Sequence, residues 1–130
     1  FGWSACEGTH DFRGDGACDA LGAAHHGPIY EYSHSGSDFA TGGSASITGG
    51  FVYRGSAIPG LNGAYLFGDT TTATIGALRQ CGTETREVTA FSSTTSISGI
   101  CAPTTFGDDA AGEIYVGCYG SNEIVRIIPR

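Results

Sequence analysis

From Ser46 onward the chain is written in short runs of β-branched and aromatic residues: "ITGGFVYRG", "GAYLFGD", "ATIGALR", "REVTAF", "GICAPTTF", "GEIYVGC" and "NEIVRIIPR". Gly, Asn or Asp bounds each run. Runs of this length and alternation read as strands, and the residues between them as tight connections. Nowhere do apolar residues recur at helical spacing for three turns. The first 44 residues differ, with all four histidines and only "PIYEYSH" (Pro28 to His34) alternating like a strand. The pattern divides the chain into a loop region with one strand, 1–44, and an all-β region, 45–130.

The β region repeats. A shift of 49 residues lays Gly50-Phe51-Val52 on Gly99-Ile100-Cys101, Gly63 to Gly68 on Gly112 to Gly117, and Ile75 and Leu78 on Ile124 and Ile127, without a gap. A period of that length made of successive strands is the mark of a β-propeller blade. The expected fold is therefore all-β, with two propeller-type antiparallel blades: four strands over about 47–91 and an incomplete three over about 97–130. Tyr53, Tyr65, Phe67, Ile75 and Leu78 are expected to share a core with Ile114, Val116, Ile124 and Ile127. "NEIVRIIPR" (Asn122 to Arg130) is the expected open edge, having no later segment to cover it.

Charge narrows the partners. Thirteen acidic residues face six arginines and no lysine, for a net charge of −7. No arginines cluster, so phosphate backbones and anionic lipid surfaces are repelled and nucleic acid is discounted. No apolar run approaches the roughly 18 residues of a membrane span. A chain that starts at Phe1 and lacks methionine is expected to be a trimmed, exported product or a piece of a larger protein. Five cysteines in so short a chain point the same way, to an extracellular or periplasmic setting. Proximity pairs Cys6 with Cys18 and Cys81 with Cys101, each bond stabilising by roughly 3 kcal/mol. Cys118 is left as a buried thiol or as a bond to another chain or to a missing part of this one.

The segments "FGWSACEGTHDF", "PIYEYSHS", "SITGGFVYRGSAIPGLNGAYLFGD" and "FGDDAAGEIYVGCYGSNEIVRI" resemble the C-terminal part of the glucose/sorbosone dehydrogenase family. That family comprises the soluble quinoprotein sugar dehydrogenases and their hedgehog-interacting-protein-like relatives. The resemblance implies the last two blades of a six-bladed propeller and the long loop before them. It also implies sugar oxidation with pyrroloquinoline quinone (PQQ) and calcium, although the family's histidine base and most cofactor ligands would precede Phe1. Two cofactor positions fall within this segment: a cation after the "LFGD"-like strand and an arginine pair before the last inner strands. Here Thr70 to Thr72 and Thr104 to Asp109 stand there instead. A tricarboxylate quinone requires cationic partners, so these residues argue against bound quinone. Ala45 and Thr71 occupy places where many relatives have cysteines.

The remaining candidates read as structural. Arg54 in the "YRG" corner is expected to stack on an aromatic ring and bond the carbonyls of the "AIPGLNG" turn, rather than clamp a carboxylate. Tyr53, Pro59 and Asp69 belong to the same framework. Adjacent His25 and His26 face opposite ways on a strand, and Asp11, Asp15 and Asp19 miss the spacing of a calcium loop. Asp108, Asp109 and Glu113 read as a hairpin turn more readily than as calcium ligands. The expectation is thus a secreted propeller-derived structural or interaction module, without catalytic, metal or cofactor residues of its own. It would be completed by self-assembly, as a homo-oligomer or filament, or by missing blades on a partner. The alternative is a piece of a PQQ- and calcium-dependent sugar dehydrogenase. Thr- and Ser-rich "FSSTTSIS" (Phe91 to Ser98) suits O-glycosylation or an assembly surface.

Overall fold

The alternation becomes antiparallel sheet wherever a turn residue lets the chain reverse. The computed structural model describes residues 2–34, 45–82, 84–91 and 101–129, with Cys81 and 84–91 described by their backbone alone. Its regular elements are almost entirely strands, in three antiparallel sheets. Most of "FSSTTSIS" and the Gly99-Ile100 end of the repeat lie outside the described residues. Compact units divide at Glu31/Tyr32, ahead of the boundary that composition marks at 44/45.

The first unit is a small stapled loop. Strands β1 (Cys6–Glu7) and β2 (His10–Asp11) pair, and helix α1 (Ala17–Ala20) follows. The Cys6–Cys18 disulfide ties β1 to α1, as proximity indicated. No strand forms over 28–34 among the described residues. Glu31 instead accepts hydrogen bonds from the Thr9 amide and hydroxyl, closing the loop with side chains rather than a ladder.

The second unit holds two sheets. Strands β3 (Ile47–Thr48), β4 (Tyr65–Asp69), β5 (Thr74–Cys81) and β6 (Glu84–Phe91) pair in that order, with a 3-10 turn at Pro59–Leu61 between β3 and β4. Strands β7 (Ala102–Asp108), β8 (Ile114–Tyr119) and β9 (Glu123–Arg126) form the second sheet. The 49-residue offset holds through both hairpins, residue by residue. Leu66↔Ala77, Phe67↔Gly76, Gly68↔Ile75 and Asp69↔Thr74 map onto Tyr115↔Arg126, Val116↔Val125, Gly117↔Ile124 and Cys118↔Glu123. Backbone detail repeats as well. Gly63 and Gly112 enter the hairpins at φ 79° and 78°, and Ala73 and Asn122, both without glycine's freedom, leave the turns at φ 53° and 58°. The same turn geometry therefore recurs, at Ala73 against the side-chain sterics that disfavour it and at Asn122 with a residue that tolerates it.

The offset fails in the first strand of each sheet. Gly68 pairs with Thr48 but Gly117 pairs with Thr105, an offset of 105 − 48 = 57. The extra length in the first copy is the turn around Pro59.

Pairing also decides which residues face the seam between the sheets. Directly paired residues share a face, so Leu66, Gly68, Ile75 and Ala77 form one face of the first sheet. We call it the leading face. It meets the trailing face of the second sheet, where Ile114, Val116 and Cys118 alternate inward. Leu66, Ala77, Tyr53, Ala64 and Ile114 make one cluster; Ile75, Cys101, Val116 and Cys118 make the other, and Phe106 and Ile127 flank both. At Gly68 a Cβ would sit 2.5 Å from the Pro103 ring, so only glycine permits this approach. The expected core is corrected accordingly. Tyr65, Phe67 and Leu78 lie on the trailing face of their sheet, away from the seam, and Ile124 is 78% exposed while its neighbour Val125 packs inward.

The second disulfide joins Cys101 to Cys118, which corrects the expected Cys81–Cys101 pair. Sequence proximity misleads because β8 runs back along β7 and sets Cys118 opposite Pro103, with Cα atoms of Cys101 and Cys118 4.6 Å apart. Cys118 is thus bonded, and the side chain of Cys81 lies outside the described residues. Non-reducing peptide mapping is expected to recover Cys101 linked to Cys118. Replacing both by alanine should lower unfolding free energy by about 3 kcal/mol, the scale for a loop of this size; a Cys81–Cys101 peptide would contradict the seam as drawn.

Candidate functional site

Three carboxylates hold the second unit at its corners. Glu113, buried at the start of β8, accepts the Tyr53 hydroxyl at 2.8 Å and the Ser56 and Ala57 amides at 3.0 Å each. Tyr53, fully buried, in turn receives the Ile58 amide on the same oxygen. Asp69, at 0% exposure, accepts the Tyr32 hydroxyl and the amides of Ser46, Thr71 and Thr72. Asp109 accepts the Ala111 and Glu113 amides and the Tyr115 hydroxyl. Each carboxylate is thereby engaged by N–H and O–H donors, an arrangement that fixes loops.

The donors set the titration. The Ala57 amide and then the Tyr53 hydroxyl hold the Glu113 carboxyl below its ordinary value of 4.5, against the opposing effect of burial. At Asp69 burial pushes upward, but the Tyr32 hydroxyl and the amides of Thr72, Ser46 and Thr71 together hold the carboxyl below 3.8. Burial, reinforced by Glu113, pushes the Tyr53 hydroxyl up and keeps it a donor.

Other singled-out residues fall into place individually. Pro59 begins the 3-10 turn. Arg54 is exposed and has no hydrogen bond or ring partner among the described residues, which corrects the role expected for it. Arg79 takes that role: its guanidinium donates to the carbonyls of Asn62, at 2.6 Å, and Gly60, because β5 runs beside the turn. Directly after "LFGD", Thr70 donates its hydroxyl to the Pro103 carbonyl across the seam. Cys6, Cys18 and His25 bring donor atoms within 4.8 Å of one another, but both sulfurs belong to the disulfide. Asp11 and Asp15 accept amides of their own loop. The roles of Glu113, Tyr32 and Arg79 went unread in the sequence. The one available signal for Glu113 was Gly112, where a Cβ would lie 2.8 Å from the Arg54 carbonyl carbon.

The surface that remains unused is the leading face of the second sheet. The offset makes Ile124 the counterpart of Ile75, yet Ile75 is 2% exposed and Ile124 78%. Tyr119, Thr105 and Arg126 on the same face are exposed too. Among the described residues β9 pairs with β8 alone, whereas β5 pairs with β4 and β6. No protein-family model matches the chain. Among the described residues no helix is long and apolar enough to cross a membrane.

Matched positions make a matched test. Ile75→Ala is expected to cost about 3 kcal/mol of stability and Ile124→Ala less than about 0.5, measured by urea unfolding; equal losses would contradict the assignment of faces. The carboxylates give a pH test. A folded pKa below the unfolded one stabilises fully above the ordinary values of 4.5 and 3.8, and that stability is lost as pH falls through the folded values. The unfolding midpoint should stay level above about pH 5 and fall below it. Glu113→Gln should lower the midpoint at pH 7 and flatten the acid fall; an unchanged profile would remove Glu113 from this role.

Proposed function

We propose that the chain is a structural and interaction module derived from a β-propeller of the glucose/sorbosone dehydrogenase type, exported from the cell. It is non-catalytic by itself and is completed by further copies or a partner chain. The two sheets act as successive blades, the first with four strands and the second with three. The observation that supports this reading is the contrast between Ile75, covered, and Ile124, exposed, at equivalent places in one repeated hairpin. An open strand with apolar neighbours invites addition of another strand, since backbone groups supply the affinity and side chains the register. Two disulfides suit an oxidising, extracellular setting. Thr70 and Thr48 donating to the Pro103 carbonyl give the position after "LFGD" a structural use in place of a quinone contact.

The strand that completes the first sheet supplies the probe. A fluorescent peptide of sequence "ETREVTAF" (Glu84 to Phe91) is expected to bind the full chain saturably, read by anisotropy. The Ile127 amide donates inward to Ile114, so the Arg126 amide points away from β8, and Arg126→Pro should abolish binding while sparing the sheet. No binding by the unmodified chain, or dye reduction with aldoses once PQQ and calcium are added, would overturn the proposal.

A further inference from the structure

The stapled first unit carries a charged loop that the sheets do not use. Between β2 and α1 the chain reads Phe12-Arg13-Gly14-Asp15-Gly16, and every residue of it is exposed. Both ends of the loop are held. The Cys6–Cys18 disulfide ties α1 to β1, and Asp11 in β2 accepts the Arg13 and Gly14 amides on one oxygen, at 3.1 Å each. Gly14 and Gly16 turn the chain at φ 71° and 79°, and a Cβ built on either would meet nothing within 4 Å. The turn therefore stands clear of its surroundings and can be approached closely.

The loop displays one guanidinium and one carboxylate, and the fold neutralises neither. Arg13 donates through Nε and Nη2 to the carbonyl and hydroxyl of Ser4, which are uncharged groups that fix the side chain. Its Nη1 has no partner among the described residues. Asp15 gives one oxygen to the Ala17 amide at 3.0 Å, and its other oxygen has no partner among the described residues. Apolar surface lies alongside: Trp3 and Phe12, 73% and 50% exposed, hold their ring centroids 4.5 Å apart. Exposed aromatic rings beside an arginine are the composition of a contact that carries binding energy.

We propose that this Arg-Gly-Asp loop is the ligand of an adhesion receptor of the integrin type, whose site sets a bound divalent cation beside an acidic pocket. The free oxygen of Asp15 completes the coordination of the cation, because hard divalent ions take carboxylate oxygens, and the acidic pocket takes the guanidinium of Arg13. Gly14 between them has no side chain to hold the two surfaces apart. Fixing the loop through the disulfide and Asp11 lowers the ordering cost that a free peptide meets on binding. The inference uses the exported setting proposed above and not the open strand, so the two readings fail separately.

The test immobilises the full chain and passes over it, in Mn²⁺, a purified integrin ectodomain that binds Arg-Gly-Asp peptides, read by surface plasmon resonance. Saturable binding is expected, lost in EDTA and displaced by the linear peptide "DFRGDGA" (Asp11 to Ala17), but not by the same peptide with Asp15→Glu, whose carboxylate stands one methylene too far out. In the full chain Asp15→Asn keeps the acceptor for the Ala17 amide and removes the charge that the cation requires. It should weaken binding at least about tenfold while non-reducing mapping still recovers Cys6 linked to Cys18. No binding by the unmodified chain, binding that survives EDTA, or equal binding by Asp15→Asn overturns the proposal. If the receptor fails to bind while the "ETREVTAF" peptide binds, this inference falls and the open-edge reading stands. The reverse pair of results overturns the open-edge reading and leaves this one standing.

Discussion

A buried carboxylate, Glu113, dictates how the two sheets meet. Its oxygens are reached by the Tyr53 hydroxyl and the Ser56 and Ala57 amides, so the segment from Tyr53 to Ala57 must lie against the start of β8. Removing the Tyr53 hydroxyl would leave Oε2 buried without its donor, which costs more than the bond itself contributes. Gly112 makes the approach possible, since its neighbours leave no room for a Cβ. Once that contact is set, strand geometry does the rest. Alternation along β8 carries Ile114 to Leu66 and Ala77, then Val116 to Ile75, then Cys118 to its bond with Cys101.

A stack in which a leading face meets a trailing face has a direction, and a directional stack ends on a face unlike the one it starts with. In this chain Phe67 and Asp69, on the trailing face of the first sheet, are inaccessible. The leading face of the second is open and displays Tyr119 and Ile124. Large exposed apolar side chains that cluster on one sheet mark a contact surface more often than scattered ones do.

How much could be read in the sequence depended on the range of the interaction. Both hairpins were legible, because Gly63 and Gly112, and the runs that follow them, act through backbone conformation and local alternation. The spans of β4 to β8 followed from the same signals, whereas "ITGGFVYRG" pairs as a strand only over Ile47–Thr48. What escaped were contacts set by how strands return on one another. Cys118 reaches Cys101 only because β8 folds back on β7. Arg79 and Arg54 are equally plausible as ligands of the Pro59 turn until β5 is placed beside it. The exposure of Ile124 could not be seen from a repeat in which its counterpart Ile75 is buried, since burial there comes from the neighbouring sheet and not from the strand itself. "PIYEYSH" shows the converse error: alternation without a partner strand made no sheet, and Tyr32 instead donates to Asp69.

Methyl NOE spectroscopy of the full chain tests the face assignment most directly. The account predicts cross-peaks from Val116 to Ile75 and from Ile114 to Leu66, and none from Ile124 to any residue of the four-stranded sheet. Contacts from Ile124 to Leu66 or Ile75, with Val116 free of both, would mean that the second sheet presents its other face to the seam, and would contradict it.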